Sequence, residues 1–246
     1  GAEPAIVLSH ITIPKGTKSS EEKCLIEIMD AANRVFREEG ANIVGGHTTK
    51  GEELVVGFTI LGDVPRKPIT LEGASPGDKL ILTKPLGVGT ILAGEMLGLA
   101  NGLWVKEAHD WMMKSQGKIA KILANKATAM TDVTGFGLVG HLLKICQSSG
   151  VFVKLELGAL PLLDGALSLA RDGVKSTIFE DNRKIRPYID IPEEEDIWPL
   201  LFDPQTSGGI LAAIPEEHLG TVTKKLRENN FCNAVIGEFR AGKIRV

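Results

Sequence analysis

The chain has 246 residues, 43% of them hydrophobic and only 5% aromatic, with a formal net charge of −3. That length holds one large or two small domains with an aliphatic core. The weak charge, without a basic block, argues against nucleic acid as a partner, and no apolar run reaches the length of a membrane span.

Cys24, Cys146 and Cys232 are odd in number and far apart, without a C-x-x-C pair. This argues against a disulfide framework or a cysteine zinc site and makes a reducing cytoplasm the expected compartment. The five histidines show no metal-ligand spacing, and no G-x-S-x-G elbow is present, so zinc and serine hydrolase chemistry lack support.

In chain order, Gly1-Ala2-Glu3-Pro4 reads as the tail of an upstream helix, with no initiator Met or signal peptide, so the chain is expected to start inside a domain. Residues 5–13, rich in Val and Ile, read as a strand. Ser19 and Glu22 have capping-box spacing and open a helix. It carries Leu25, Ile28, Met29, Ala32, Val35 and Phe36 on one face and stops at Gly40. Residues 42–44 and 53–61 read as strands flanking Gly45-Gly46-His47-Thr48. That segment is read either as a tight turn or as a backbone cradle for a nucleotide. Residues 62–77, with three prolines, are the linker candidate.

Residues 79–82 read as a buried strand running into Thr83-Lys84-Pro85-Leu86-Gly87. Lys84 is read as a solvated loop lysine, with phosphate binding as the other reading; no Walker P-loop pattern occurs. Helices are expected over 88–97, 105–124 and 164–171, the last capped by Asp164. Residues 187–199 read as an exposed acidic loop. Asp203-Pro204-Gln205-Thr206-Ser207-Gly208-Gly209 reads as a polar turn bonding its own backbone, or as a loop completing a phosphate pocket. A strand over 210–214, a helix over 215–229 and strands near 234–236 and 243–246 follow. Strands and helices alternate throughout, which indicates α/β or α+β layering.

The most informative segment is Thr131-Asp132-Val133-Thr134-Gly135-Phe136-Gly137-Leu138-Val139-Gly140-His141. A carboxylate ends a short strand, and a glycine-rich turn opens a helix over 138–146. A helix N-terminus favours phosphate, and a carboxylate suits Mg2+. Gly135, Gly137 and Gly140 also form G-x-G-x-x-G, with Glu156 placed as a ribose-binding acid would be, the pattern of a dinucleotide site. Against this, Asp132 lies between strand and glycines, where it would repel a pyrophosphate. A plain strand–turn–helix corner, with His141 structural, is the third reading.

Together these motifs resemble the selenophosphate synthetases (selenide, water dikinases). The Gly45–Thr48, Thr131–Leu142 and Asp203–Gly209 segments carry the resemblance in that order, with Leu82-Thr83-Lys84-Pro85-Leu86-Gly87 and Val235-Ile236-Gly237. The resemblance spans the whole chain and implies the aminoimidazole ribonucleotide synthetase-like superfamily. Its implied fold is an α+β or α/β two-layer arrangement, in which residues 1–72 close an ATP-binding dimerisation domain and residues 73–246 form a C-terminal α/β domain. It implies a homodimer with ATP sites at its interface. ATP, selenide and water would give selenophosphate, AMP and orthophosphate, with Mg2+. Asp132 maps to a metal ligand, and Gly45, Gly46, His47 and Thr48 map to the ATP site.

The family's N-terminal segment, with its Cys or selenocysteine and its Lys, has no counterpart in these residues, so no catalytic residue is carried over. This chain alone is expected to bind Mg·ATP weakly and turn nothing over. Thr49-Lys50-Gly51-Glu52-Glu53-Leu54 resembles a subgroup fused behind a flavin- and pyridine-nucleotide-dependent oxidoreductase. The alternatives are another ATP-dependent enzyme of the superfamily, such as a purine-pathway synthetase or thiamine-phosphate kinase, and a non-catalytic nucleotide-binding module. A dinucleotide oxidoreductase ranks behind these.

Overall fold

The computed structural model describes all residues from 1 to 246. It divides into two compact units, Gly1–Pro68 and Ile69–Val246.

The first unit is a three-stranded sheet with one helix. Its elements are β1 (Glu3–Pro14), α1 (Lys18–Glu38), β2 (Asn42–Gly51) and β3 (Val55–Asp63), in sheet order β2-β1-β3. β1 pairs parallel with β2 and antiparallel with β3. Alternation along β1 buries Val7, Ser9, Ile11 and Ile13, while α1 packs through Ala32 and sets Phe36 edge-on to Phe58, ring centroids 5.1 Å apart.

Three expectations change here. Glu3 and Pro4 are strand residues paired with Asp63 and Gly62, not the tail of a helix. The cap of α1 is Thr17, not Ser19: its hydroxyl accepts the Ser20 N–H at 3.3 Å, while Glu21 accepts the Gly16 N–H at 3.1 Å. Gly45-Gly46-His47-Thr48 is not a turn between strands. It lies inside β2, in register with Leu8, Ser9, His10 and Ile11 of β1, after a bulge opposite Val7 and Leu8.

The second unit holds β4 (Lys79–Leu82), α2 (Val88–Met96), α3 (Gly102–Met113), α4 (Gly117–Ala124), β5 (Ala129–Asp132), α5 (Gly137–Ser149) and β6 (Phe152–Leu155). These are followed by α6 (Ala166–Arg171), α7 (Phe179–Asn182), α8 (Trp198–Leu201), β7 (Ile210–Ile214), α9 (Glu216–Glu228) and β8 (Ala234–Arg240). The sheet order is β5-β7-β4-β8-β6, every neighbouring pair antiparallel. Because strand side chains alternate, Leu80 and Leu82 pack with the buried residues of α5, while Ile81 packs with Ile119 and Leu123 of α4 and Val222 and Leu226 of α9. A further cluster joins α2, α3, α6 and α8 through Ile91, Ala108, Leu169 and Leu200.

The helix expected over 105–124 is broken at residues 114–116 into α3 and α4. Asp164 caps nothing, since α6 begins after Gly165, whose φ of +78° only glycine adopts freely. Residues 243–246 form no strand; Val246 instead exchanges backbone hydrogen bonds with Tyr188 and Asp190. Within 187–199, Ile189, Ile191 and Trp198 are buried, so only part of that loop is exposed. β5 and β6 are the two outermost strands of the sheet, which excludes the adjacent βαβ pair of a dinucleotide fold.

Candidate functional site: three loops at one sheet edge

β4 and β5 run parallel to each other with antiparallel β7 between them. The C-terminal ends of β4 and β5 and the start of β7 therefore share one edge. Three loops meet there: 83–87, 132–137 and 203–209.

Asp132 is the last residue of β5, opposite Ile210 of β7. Its side chain is exposed and takes part in no ion pair. The backbone just beyond it is fixed from two sides. Val133 donates its N–H to Gly209 at 2.8 Å, and Gln205 donates its N–H to the Thr134 carbonyl at 3.0 Å. A Cβ on Gly208 would collide with the Val133 carbonyl, so glycine permits this approach.

Two glycines of the G-x-G-x-x-G text, Gly137 and Gly140, serve packing. Gly137 has φ +68°, and a Cβ there would lie 2.7 Å from the Phe202 carbonyl carbon; a Cβ on Gly140 would lie 2.8 Å from Cβ of Phe136. Asn182 donates to Gly135 at 2.7 Å and Phe202 at 2.9 Å, tying the turn down. His141 is buried and structural, with Nε2 accepting the Thr134 N–H at 3.0 Å. Burial lowers its pKa, which favours the neutral ring that this bond requires. The N-terminus of α5 has no side-chain cap; instead Gly137, its first residue, donates its N–H to the Thr134 carbonyl at 3.1 Å.

The Asp203–Gly209 segment reaches well beyond its own backbone. Asp203, 2% exposed, accepts the Thr90 hydroxyl and Gln205 Nε2, both at 2.9 Å. Burial pushes its carboxyl up to about 6. Gln205 Oε1 accepts the N–H groups of Gly87 and Val88 at 3.2 and 3.3 Å and so closes the N-terminus of α2.

Lys84 departs most from expectation. It is 1% exposed rather than solvated, and its Nζ donates to the carbonyls of Trp111 at 2.8 Å and Ser207 at 2.9 Å. Its neighbour Thr83 donates its hydroxyl to Gln116 at 2.8 Å and accepts the Ile210 N–H at 2.7 Å. Sequence reasoning gave Gln116 no role. The one readable signal for Thr83 and Lys84 was their place directly after a buried strand.

Gly45, Gly46, His47 and Thr48 belong to the first unit and Asp132 to the second. By register, Gly45 and His47 share a sheet face with Leu8 and His10, and Gly46 and Thr48 share the opposite face with Ser9 and Ile11. A Cβ on Gly46 would run into the Ser9 backbone, whereas one on Gly45 would only touch Leu8 at 3.5 Å. No group of three or more metal-ligating side chains is assembled anywhere, so Asp132 by itself would supply a single ligand.

Residues 75–246 match the C-terminal domain model of AIR synthase related proteins, and residues 1–64 match the N-terminal domain model of that family. The fold and its two domains thus define a member of the AIR synthase-related family. A selenide, water dikinase of Caldanaerobacter subterraneus subsp. tengcongensis is 35% identical over 251 aligned residues, covering 100% of this chain and 70% of that protein. The chain belongs to the selenide, water dikinase family.

Among solved structures, thiamine-monophosphate kinase from Stenotrophomonas maltophilia K279a superposes with a TM-score of 0.76 at 18% identity, covering 99% of this chain and 72% of that one. The hydrogenase maturation protein HypE in complex with ATP superposes with a TM-score of 0.69 at 19% identity, covering 98% and 66%. These two likenesses concern the fold.

Proposed function

We propose that the natural protein makes selenophosphate from ATP, selenide and water, releasing AMP and orthophosphate. Residues 1–72 would belong to its ATP-binding domain and residues 73–246 would form its C-terminal α/β domain. One observation carries this reading: the identity to a selenide, water dikinase runs through the whole chain and not through one domain. The ATP complex of a protein with the same fold supports a nucleotide substrate.

Asp132 is the metal ligand in this reading. Mg2+ is held by one or two carboxylates together with substrate phosphates and water, so an exposed carboxylate without a competing cation suits it. The ion would neutralise phosphate charge during transfer. Gly45 and His47, on one face of the first sheet, contact ATP. Gly46 and Thr48 stand on the other face, where Gly46 lets β2 lie close against the Ser9 backbone.

Exposed Ile6, Val55 and Leu61 leave apolar surface on the first unit, which supports a homodimer through that unit. No helix is long and apolar enough to cross a membrane, and the proposed site of action is the cytoplasm.

Phosphorus NMR of the full-length natural protein with Mg·ATP and selenide tests the reading. AMP, orthophosphate and a selenium-coupled phosphorus signal are expected. ADP alone would assign a sister kinase activity, and no turnover would make the chain part of a non-catalytic module.

A further inference from the structure

Lys84 is among the largest fully buried side chains, and it is a cation without a carboxylate partner. Burying an ammonium costs several kcal/mol that a methionine of similar length would not. Burial, aided by nearby Lys114, brings its pKa down to about 8. Plain packing does not explain a lysine here.

Its two acceptors show what it holds. One is the Trp111 carbonyl in the last turn of α3, where the helix dipole favours a cation. The other is the carbonyl of Ser207, one of two non-glycine residues with positive φ, at 51°. That conformation costs about 1–2 kcal/mol and persists only when its surroundings dictate it. The Ser207 hydroxyl donates to the Met112 carbonyl at 2.8 Å, a second tie to α3.

The next residues lead to the carboxylate. Gln116 donates to the Gly208 carbonyl at 2.8 Å, and a Cβ on Gly209 would lie 2.6 Å from the backbone nitrogen of Lys84, so glycine lets the two chains lie close there. Gly209 in turn accepts the N–H of Val133, the residue after Asp132.

We propose that Lys84 is a positioning residue for Asp132: it holds Ser207 left-handed, which seats Gly208 and Gly209 against Val133 and fixes the strand end that carries the carboxylate. The consequence for turnover rests on the proposed synthetase reading; the positioning itself does not.

The test is Lys84→Met in the full-length natural protein, read two ways. Hydrogen exchange at the amides of Val133 and Ile210 should rise about tenfold or more while the β8 amides stay protected. Well below the unfolding temperature, kcat should fall about tenfold or more while KM for ATP changes less than about threefold, because misplaced geometry costs rate more than ground-state binding. Adding Ser207→Gly, which adopts positive φ without strain, should recover part of kcat. If Lys84→Met does not fold, Gln116→Leu cuts the tie to Gly208 and should give the same exchange pattern.

Unchanged exchange at those amides would overturn the proposal, as would a parental kcat beside raised exchange. If the parent itself makes no selenophosphate, the functional reading falls and the exchange result alone decides the positioning.

Discussion

Thr134 donates its backbone N–H to Nε2 of His141 at 3.0 Å, so a side chain on the second turn of α5 closes the loop that begins at Asp132. The ring also lies 5.6 Å from Phe136, centroid to centroid. His141→Phe keeps the bulk and removes the acceptor. It should cost about 1–3 kcal/mol, the range for an orphaned buried donor, in chemical denaturation. Selenide-dependent AMP formation should fall with it, because the loop beside the carboxylate loosens.

Asp132→Asn should separate activity from folding. The side chain is exposed and makes no ion pair, so denaturation midpoints should move by less than about 0.5 kcal/mol. Under the proposed mechanism turnover drops at least about a hundredfold. Activity within a factor of two of the parent would remove Asp132 from the metal site.

Asp203 gives a pH signature. Burial raises its carboxyl from 3.8 to about 6. The folded state therefore binds the proton more readily than the unfolded chain. The group's contribution to stability is full below about pH 4, declines as pH rises through 6, and is flat above that. Asp203→Asn does not titrate. Between pH 4 and 7 its stability relative to the parent should improve by about 2 kcal/mol, whatever constant offset the lost hydrogen bond adds. Parallel stability curves for parent and variant would refute this.

Gly45 and Gly46 should respond differently to alanine. At Gly46 the new Cβ meets the Ser9 backbone, and stability should fall by more than about 2 kcal/mol. At Gly45 it meets only Leu8 at 3.5 Å, so folding should hold while ATP affinity, read by titration calorimetry on the full-length protein, weakens.

The sequence showed most elements through their periodicity. The alternation of β1, the apolar stripe of α1, the buried run of β4 and the glycine turn before α5 were all readable, and Asp132 stands at the strand end that its text suggested. Lys84 was not readable, because its acceptors lie 27 and 123 residues away in sequence and belong to backbone carbonyls that carry no residue signature. Gly45-Gly46 looked like a turn because adjacent glycines are common in turns; they stand inside a strand instead, where Gly46 lies too close to the Ser9 backbone for a Cβ. The capping residue of α1 was missed by two positions because Thr17 and Ser19 both suit the role and only the chain path chooses between them.

The segment leading into the second unit has a consequence for any attempt to dissect the protein. β5, which carries Asp132, is an outer strand, and a bare strand edge invites pairing with other chains. Thr70 accepts the Met130 N–H at 3.0 Å. Ser149 Oγ accepts the N–H groups of Gly73 and Ala74 and donates to Leu71, all at 3.1 Å, pinning the segment in place. Residues 70–74 thus act as a selvage along that edge. A cut at 64–68 leaves it stitched, whereas a cut a few residues later unravels the border and turns the Asp132 strand into a template for aggregation.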